Sequence, residues 1–267
     1  GVIVLDVTSP RTGTRWIDWY GNLEVSPPVK ARNGREFPFG RVLTGVQRDL
    51  GIHPDVLAFL DAQHLQTPPL ILDTSWLLIG HVDEVVNFVP APRPPGFCVL
   101  VPSPSFARTL LENVALQGLA NQAVFAGHSG ETPVAKLLED VAMSEENNRI
   151  CEILQEIRAR ICEGLGVDDE HFIEIPVLFR NGGAVIPNCV NGLICNGHAI
   201  LPAPLGPQVD GDDAFAAPIR AALTRLGVNV HFVDVWDAYH IRGGEIHCGT
   251  NTIRRIQGTA WREIAQS

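Results

Sequence analysis

Short apolar runs typical of buried strands alternate with longer segments of helical spacing along most of this 267-residue chain. Residues 54–65 carry apolar side chains at helical spacing, and strand-like runs follow at residues 70–72 and 85–89. The sequence contains no low-complexity tract and no Pro/Gly-rich linker that would divide it. Strands and helices that alternate in this way predict an α/β domain, and the length is sufficient for one large core.

The helical segments carry recognisable boundary signals. Ser103 followed by Pro104 is typical of an N-cap and a first helical turn, which predicts a helix from there to about residue 119. Helical spacing also covers residues 134–165, where we expect a break near residues 144–146, and residues 218–226. Strands are predicted at residues 2–5, 97–101, 172–179 and 228–233, with two or three short strands within residues 185–201.

The charge balance and hydropathy exclude two kinds of partner. Thirty acidic and 20 basic residues give a formal net charge of -10 at pH 7, which argues against nucleic acid and favours cationic, arginine-bearing substrates. Every apolar run is shorter than the ~20 residues that cross a bilayer, so no membrane partner is expected. The absence of an initial Met and the presence of only two lysines are interpreted as favouring secretion, and the compartment otherwise stays open.

Cys248 is the candidate nucleophile among six cysteines that form no CxxC pair and no dense disulfide framework. It lies in GEIHCGTN (residues 244–251), where His, Gly and Asn create a polar, turn-like setting. A free cysteine is more often a buried structural thiol, whereas a reactive one needs a polar, accessible environment. The residues alone leave both interpretations open.

His81 and Asp83 form a His-x-Asp pair in GHVDE (residues 80–84). On an extended segment the two side chains would project to the same face, because strand side chains alternate. The same spacing also fits a hydrogen-bonded surface pair without a catalytic role. Gly80 would allow another group to approach closely.

Two other chemistries fit the sequence poorly. A zinc site could be built from Cys189, Cys195 and His198, but their spacing matches no common structural zinc motif and a fourth ligand is lacking. A papain-like protease places its cysteine early and its histidine late, whereas here GHVDE precedes the cysteine by most of the chain.

Three sequence blocks closely resemble those of the protein-arginine deiminases. GNLEVSPP (residues 21–28) continues into residues 37–45, and WLLIGHVDEVVNFVPAP (residues 76–92) contains the His-x-Asp pair. YHIRGGEIHCGTNTIRR (residues 239–255) contains the candidate cysteine. The blocks follow one another in the family's order and at similar spacing, while residues 104–169 are similar mainly in helical character.

The resemblance implies an α/β fold of the pentein type, the five-bladed α/β propeller of guanidine-modifying enzymes. Residues 1–267 would form its catalytic domain, incomplete at the N-terminal side. In the family a second catalytic carboxylate and further calcium ligands precede GNLEVSPP, where this sequence offers only Asp6 and Asp18 as acids. We therefore expect the missing N-terminal part of the propeller on a separate chain of the same precursor.

The resemblance also implies an activity and a set of roles. Peptidyl-arginine would be hydrolysed to peptidyl-citrulline and ammonia through a covalent thiouronium on Cys248. His81 would act as general acid/base and Asp83 would bind the guanidinium. Ile79 would line the arginine stem and Arg242 would lie near the entrance. Two alternatives remain: a guanidine-modifying hydrolase of free arginine or agmatine, and a non-catalytic half-domain that only supports assembly.

Calcium is the cofactor that the resemblance implies. Glu24 matches a side-chain ligand in the family, and Tyr20 and Leu23 match positions that donate backbone carbonyls. Oxygen ligands of this mixture suit Ca²⁺. Without the resemblance, Glu24 would be interpreted as a solvated loop carboxylate.

Overall fold

A computed structural model describes residues 15–253 of the chain. The strand predicted at residues 2–5, Asp6 and the last residues of the 239–255 block lie outside the described residues.

Helices and strands alternate in the described part of the chain. The α-helices are α1 (Pro54–Asp61), α2 (Pro104–Val114), α3 (Val134–Leu138), α4 (Val141–Leu165) and α5 (Ala216–Arg225). The strands are β1 (Glu24–Val25), β2 (Val29–Lys30), β3 (Glu36–Phe37), β4 (Val42–Val46), β5 (Leu70–Asp73), β6 (Asn87–Pro90), β7 (Phe97–Ser103), β8 (Ala123–Val124), β9 (Thr132–Pro133), β10 (Phe172–Pro176), β11 (Phe179–Arg180), β12 (Gly183–Ala184), β13 (Leu193–Cys195), β14 (His198–Pro202), β15 (Gln208–Val209), β16 (Asp212–Asp213) and β17 (Asn229–Val233). Short 3₁₀ turns cover Trp16–Asp18, Tyr20–Asn22, Val82–Glu84, Asp169–His171 and His240–Arg242.

Three sheets repeat one ββαβ arrangement, which we call units 1, 2 and 3. Unit 1 has the strand order β1-β4-β5, unit 2 has β10-β7-β6, and unit 3 has β13-β14-β17. In each unit the strand that comes first in the chain (β1, β6 or β13) pairs antiparallel with the central strand. The strand that comes last in the chain (β5, β10 or β17) pairs parallel with it. Because parallel neighbours need a crossover, α1, α2 to α4, and α5 fill these connections in the three units.

The three units share one hydrophobic core. Leu43 and Leu72 of unit 1, Val99 of unit 2 and Leu201 of unit 3 belong to the same buried cluster. Ile161 of α4 completes this contact from the crossover of unit 2. Because burial of apolar area is the main favourable term in folding, the shared core holds the connections between units in fixed relative positions.

The α/β prediction is confirmed, since the described residues form small mixed sheets and helices. Residues 15–253 contribute three ββαβ units and show no closed barrel. The five-bladed ring and the extent of the domain remain predictions.

Several predicted boundaries were wrong. The break expected at residues 144–146 lies before Val141, because Asp140 caps a new helix there by accepting a hydrogen bond from Met143 N at 2.8 Å. The strand predicted at residues 172–179 ends at Pro176. Ser103 caps α2 as predicted, with its hydroxyl accepting a hydrogen bond from Phe106 N.

Within residues 15–253 no helix has the length and apolarity to cross a membrane.

Candidate active site

The GHVDE segment forms a tight turn in the connection between units 1 and 2. Gly80 has φ +84°, a left-handed conformation that favours glycine, and its carbonyl accepts a hydrogen bond from Thr74 Oγ1 at 2.7 Å. His81 N then donates to Glu84 Oε1 at 2.9 Å and opens the 3₁₀ turn Val82–Glu84. The extended conformation predicted for this segment is therefore wrong, because the Glu84 carboxylate caps a helical turn.

Asn22, in the GNLEVSPP block, fastens this turn to unit 1. Its Oδ1 accepts hydrogen bonds from Gly45 N at 2.7 Å and Val82 N at 3.1 Å. Its Nδ2 donates to the carbonyls of Ile17 and Gly45, both at 3.0 Å. The side chain is fully buried and all of its hydrogen-bonding capacity is used. Two of the three sequence blocks are thus joined through one amide.

Gly21 allows the backbone to approach the His-x-Asp pair. A Cβ atom at this position would lie 2.6 Å from His81 Nδ1 and 2.9 Å from Asp83 Oδ2. Both distances are shorter than van der Waals contact, so only glycine fits here without displacing a side chain. The two polar atoms therefore lie on the same side of the turn, against the Gly21 backbone.

His81 is buried, and its imidazole has a defined orientation. Its Nε2 lies 2.6 Å from the carbonyl oxygen of Trp16, and the Trp19 ring approaches it edge-on with centroids 6.3 Å apart. A carbonyl oxygen can only accept, so Nε2 carries the proton. In the neutral ring Nδ1 is then the unprotonated nitrogen, and it faces the Gly21 backbone.

Asp83 is buried and shares its carboxylate between two residues of the C-terminal block. Its Oδ2 lies 2.8 Å from His247 Nδ1 and 3.9 Å from Cys248 Sγ. His247 Nε2 in turn lies 3.2 Å from Glu24 Oε1. Asp83 Oδ1 is buried and has no hydrogen-bond partner among the described residues. The carboxylate can therefore still accept a donor from a ligand.

Cys248 follows unit 3 and is open to solvent on one side. Its thiol lies 3.4 Å from Asn191 Oδ1, and its backbone N–H donates to the Glu245 carbonyl at 2.9 Å. Partial burial of the sulfur, followed by the negative charge of Asp83, raises the pKa of Cys248 to about 12. The thiol is therefore protonated at neutral pH unless a cation enters the site.

Two further carboxyl groups, those of Glu84 and Glu245, share a cavity wall with Cys248, and burial raises the pKa of each. The pKa of Glu84 rises to about 8, with the neighbouring Asp83 charge acting in the same direction. The pKa of Glu245 is also raised by burial, although contacts with His240 at 2.7 Å and with Asn188 N at 3.1 Å oppose this effect. Glu245 Oε2 has no hydrogen-bond partner among the described residues.

A cavity of about 160 Å³ opens beside the sulfur. Ile79 lies in its wall together with Glu84, Asn191, Glu245 and Cys248. The position predicted to line an arginine stem thus shares a cavity with the candidate nucleophile.

Arg242 is placed differently from Ile79. It is exposed in the 3₁₀ turn His240–Arg242, and its neighbour Gly243, rather than Arg242 itself, contributes to the cavity wall. Its predicted place near an entrance remains a prediction.

The residues expected to bind calcium do not form a complete site within residues 15–253. Leu23 N donates to the Tyr20 carbonyl at 3.0 Å, and the half-buried Glu24 carboxylate contacts His247. No group of three or more His, Cys, Asp or Glu side chains in this part of the chain could hold a metal ion. Ca²⁺ takes six to eight oxygen ligands, so the described donors by themselves do not satisfy it.

The zinc alternative finds no support in the described residues. Cys189 is fully buried, and its thiol donates to the Pro202 carbonyl at 3.1 Å. Cys195 and His198 face each other across the β13–β14 pair. All six cysteines are free thiols.

Sequence reasoning missed several residues of this site. Asn188 and Asn191 belong to NCVNG (residues 188–192), which the sequence places among short strands; its Asn and Gly content was the available signal for a turn. Glu245 and His247 flank the cysteine and were considered only as polar neighbours. Their contacts depend on units that are distant in sequence.

The fold and the site together define a class. Repeated ββαβ units, with a histidine and a buried carboxylate from the connection between units 1 and 2 and a cysteine from the segment after unit 3, are consistent with a pentein fold. Comparison with known families is more specific. The family model described as "Protein-arginine deiminase (PAD)" matches residues 3–263. The chain belongs to the protein-arginine deiminase family.

Individual relatives agree with this assignment. Human protein-arginine deiminase type-4 is 34% identical over 265 residues, covering 94% of this chain and 40% of the relative. Rat protein-arginine deiminase type-3 is 34% identical with the same coverage. Human protein-arginine deiminase type-1 is 33% identical over 94% of this chain and 39% of its own length. The chain thus spans about two fifths of the length of these relatives.

Proposed function

We propose that this chain carries the site that hydrolyses the guanidinium of peptidyl-arginine to peptidyl-citrulline and ammonia. The observation that carries the proposal is the convergence of Cys248 Sγ on Asp83 Oδ2 at 3.9 Å, across 165 positions of sequence. Asp83 binds the guanidinium, Cys248 is the nucleophile, and His81 is the general acid/base. Family membership supports the reaction class, and the geometry supports the roles.

The Asp83 carboxylate suits a planar cation. A guanidinium presents pairs of parallel N–H donors, which match the two oxygens of one carboxylate. Asp83 Oδ1 is buried without a partner among residues 15–253, so it accepts the first of these donors. The second donor replaces His247 Nδ1 at Oδ2, where a planar ring nitrogen now lies at 2.8 Å. The guanidinium carbon is then held beside the sulfur.

The bound cation also activates the nucleophile. Its positive charge opposes the two effects that raise the pKa of Cys248, namely burial and the Asp83 charge. The thiolate attacks the guanidinium carbon and forms a tetrahedral adduct. His81 takes up a proton from solvent at Nδ1 and gives it to the departing ammonia, so the adduct collapses and a thiouronium remains on Cys248. His81 then removes a proton from water, which attacks the thiouronium. The second adduct releases citrulline and the thiolate as its hydroxyl proton passes to solvent.

Ile79 and Arg242 complete the proposed substrate site. Ile79 shares the cavity wall with Cys248, so it can contact the methylene stem of arginine. Arg242 is exposed beside the same wall and is proposed to contact the substrate backbone at the entrance. Both roles concern binding, so their loss should raise KM more than it lowers kcat.

Calcium is proposed to bind through Glu24 and the carbonyls of Tyr20 and Leu23. The described donors are too few, so further oxygen ligands from outside residues 15–253 must join them. Removing the Glu24 carboxylate should weaken the stabilisation of the protein by calcium. The melting temperature measures this effect independently of activity.

The second carboxylate that the family uses is proposed to lie outside residues 15–253. Asp18, the described acid before Gly21, accepts a hydrogen bond from His53 N at 2.7 Å.

The substrate class can be tested directly. Citrulline formation should be measured with a blocked arginine ester, free arginine and agmatine, using wild type and Cys248→Ser. We expect turnover of the blocked ester, whose acylated amino group and esterified carboxyl group stand in for the two amide bonds that flank a peptidyl arginine, and loss of that turnover in the variant. Preference for free arginine or agmatine would favour the alternative hydrolase, and no turnover of any substrate would favour a non-catalytic half-domain.

A further inference from the structure

Asn191 faces the sulfur from the connection between units 2 and 3. Its backbone is fixed, because its N–H donates to the Asn188 carbonyl at 3.0 Å and its own carbonyl accepts from His247 N at 3.0 Å. Asn87 Nδ2 holds the same loop by donating to the carbonyls on either side of Asn191, those of residues 190 and 192, both at 2.8 Å. The amide therefore points at Cys248 from a rigid support.

The two ends of this amide are used unequally. Oδ1 accepts the Cys248 thiol proton at 3.4 Å, while Nδ2 is buried and has no hydrogen-bond partner among the described residues. A buried donor without a partner is unfavourable and rare in folded proteins. The terminal torsion of asparagine is roughly two-fold, so a half-turn exchanges the oxygen and the nitrogen within the same space. The site can thus present either an acceptor or a donor to the sulfur.

The other groups around Cys248 offer little to a thiolate. The Asp83 charge disfavours a thiolate, Glu84 acts in the same direction when it is ionised, and the Cys248 N–H is already donated to the Glu245 carbonyl. His247 directs its two ring nitrogens at Asp83 and Glu24. Nδ2 of Asn191 is the unused donor next to the sulfur in the described part of the chain.

We propose that Asn191 is a further catalytic residue, whose amide accepts from the Cys248 thiol at rest and turns to donate from Nδ2 once the thiol proton has left to solvent. The assignment rests on the proposed function, since the thiolate is the form that attacks the guanidinium. Charge-assisted N–H donation to an anion is the stronger of the two hydrogen bonds, so the turned amide favours the thiolate. The same donor remains beside the sulfur when the thiolate is regenerated after release of citrulline.

The thiolate can be measured without turnover. The rate of iodoacetamide alkylation at Cys248 follows the thiolate fraction and can be read from the modified peptide by mass spectrometry, separately from the other cysteines. The full chain should be compared as wild type, Asn191→Ala and Asn191→Asp at pH 7 to 10. The isosteric Asp variant preserves the shape of the side chain but replaces the donor by an acceptor. Asn148→Ala is the control, because this asparagine is exposed on α4 and is not among the residues that line the cavity beside Cys248.

We expect alkylation of Asn191→Ala at pH 9 to be about tenfold slower than wild type, and that of Asn191→Asp slower still. Asn148→Ala should leave the dependence of the Cys248 alkylation rate on pH unchanged. Equal rates for wild type and both Asn191 variants, or an equal loss in Asn148→Ala, would overturn the role of Asn191. Failure of the deiminase proposal would appear separately, as absent citrulline from a blocked arginine ester with the alkylation result intact.

Discussion

His247 Nδ1 lies 2.8 Å from Asp83 Oδ2, so the residue immediately before the proposed nucleophile contacts the carboxylate proposed to bind substrate. On its other side the same ring contacts Glu24 Oε1 at 3.2 Å. A planar ring between two carboxylates resembles, in shape and donor pattern, the guanidinium that the site would receive. If the proposed function is correct, a bound guanidinium replaces this ring at Asp83.

Replacing Asp83 by Asn should weaken substrate binding and turnover. The variant removes the charged partner of the guanidinium, and a charge-assisted hydrogen bond contributes about 1.5–3 kcal/mol. We expect kcat/KM for a blocked arginine ester to fall at least about tenfold. Asp237→Asn, at an exposed position, is the control and should retain activity. Near-wild-type activity of Asp83→Asn would show that another group binds the guanidinium.

Replacing Cys248 by Ser should abolish turnover and leave the melting temperature close to that of wild type. A hydroxyl does not form an accessible anion, so no thiouronium can be built. A haloacetamidine should label Cys248 of the wild type, as seen by peptide mass spectrometry, and Cys195→Ser should behave like wild type. Labelling at a different cysteine, with activity lost in parallel, would refute the assignment.

Replacing Gly21 by Ala should damage the site although the residue takes no part in the chemistry. The added methyl group would lie 2.6 Å from His81 Nδ1 and 2.9 Å from Asp83 Oδ2, so one of these side chains must move. We expect a loss of activity of about tenfold or more, since small displacements of catalytic groups are costly. Gly51→Ala is the control, because its nearest neighbour would be a Val46 methyl at 3.8 Å. Equal activities of the two variants would contradict the close packing at Gly21.

Protonation of Glu84 should make stability depend on pH. Its pKa is about 8 in the folded protein, whereas the ordinary pKa of a glutamate is 4.5, so folding takes up a proton between these values. The contribution of Glu84 to the free energy of unfolding should therefore be greatest below about pH 4.5 and decrease as pH rises to about 8, by at most about 1.4 kcal/mol per pH unit for one proton.

Urea unfolding at several pH values, compared between wild type and Glu84→Gln, measures this effect. The difference between the two proteins isolates Glu84, since the raised pKa of Glu245 acts in both. The Gln variant keeps an acceptor for His81 N but cannot titrate. Parallel pH profiles would show that Glu84 is already ionised in the folded protein.

Calcium should raise the melting temperature in a concentration-dependent way, because a ligand that binds only the native state stabilises it. Glu24→Gln should shift this dependence to higher calcium. Glu36→Gln is the control, since that exposed carboxylate pairs with Lys30 Nζ at 3.0 Å and is not proposed as a ligand. A melting curve that does not respond to calcium, together with full activity in chelator, would remove calcium from the proposal.

Much of the local structure followed from short-range signals. Ser103 and Pro104 predicted the start of α2, and the observed cap is a hydrogen bond from Phe106 N to Ser103 Oγ at 3.2 Å. Such caps act over three or four residues, so the sequence suffices to identify them. The break before Val141 was misplaced because Asp140, rather than the more polar run after it, caps the following helix.

The sequence by itself determined the α/β class, the family and the three residues on which the proposed chemistry depends, because these rest on local periodicity and on contiguous motifs. Only the tertiary structure decided which groups surround them. Asp83 contacts His247 across 164 positions, and Asn191 contacts Cys248 across 57. A hydrogen bond requires its atoms to be placed within a few tenths of an ångström, and that placement is set by how the three ββαβ units pack on their shared core. No short-range pattern encodes it, because the partners lie in connections that are far apart in the sequence.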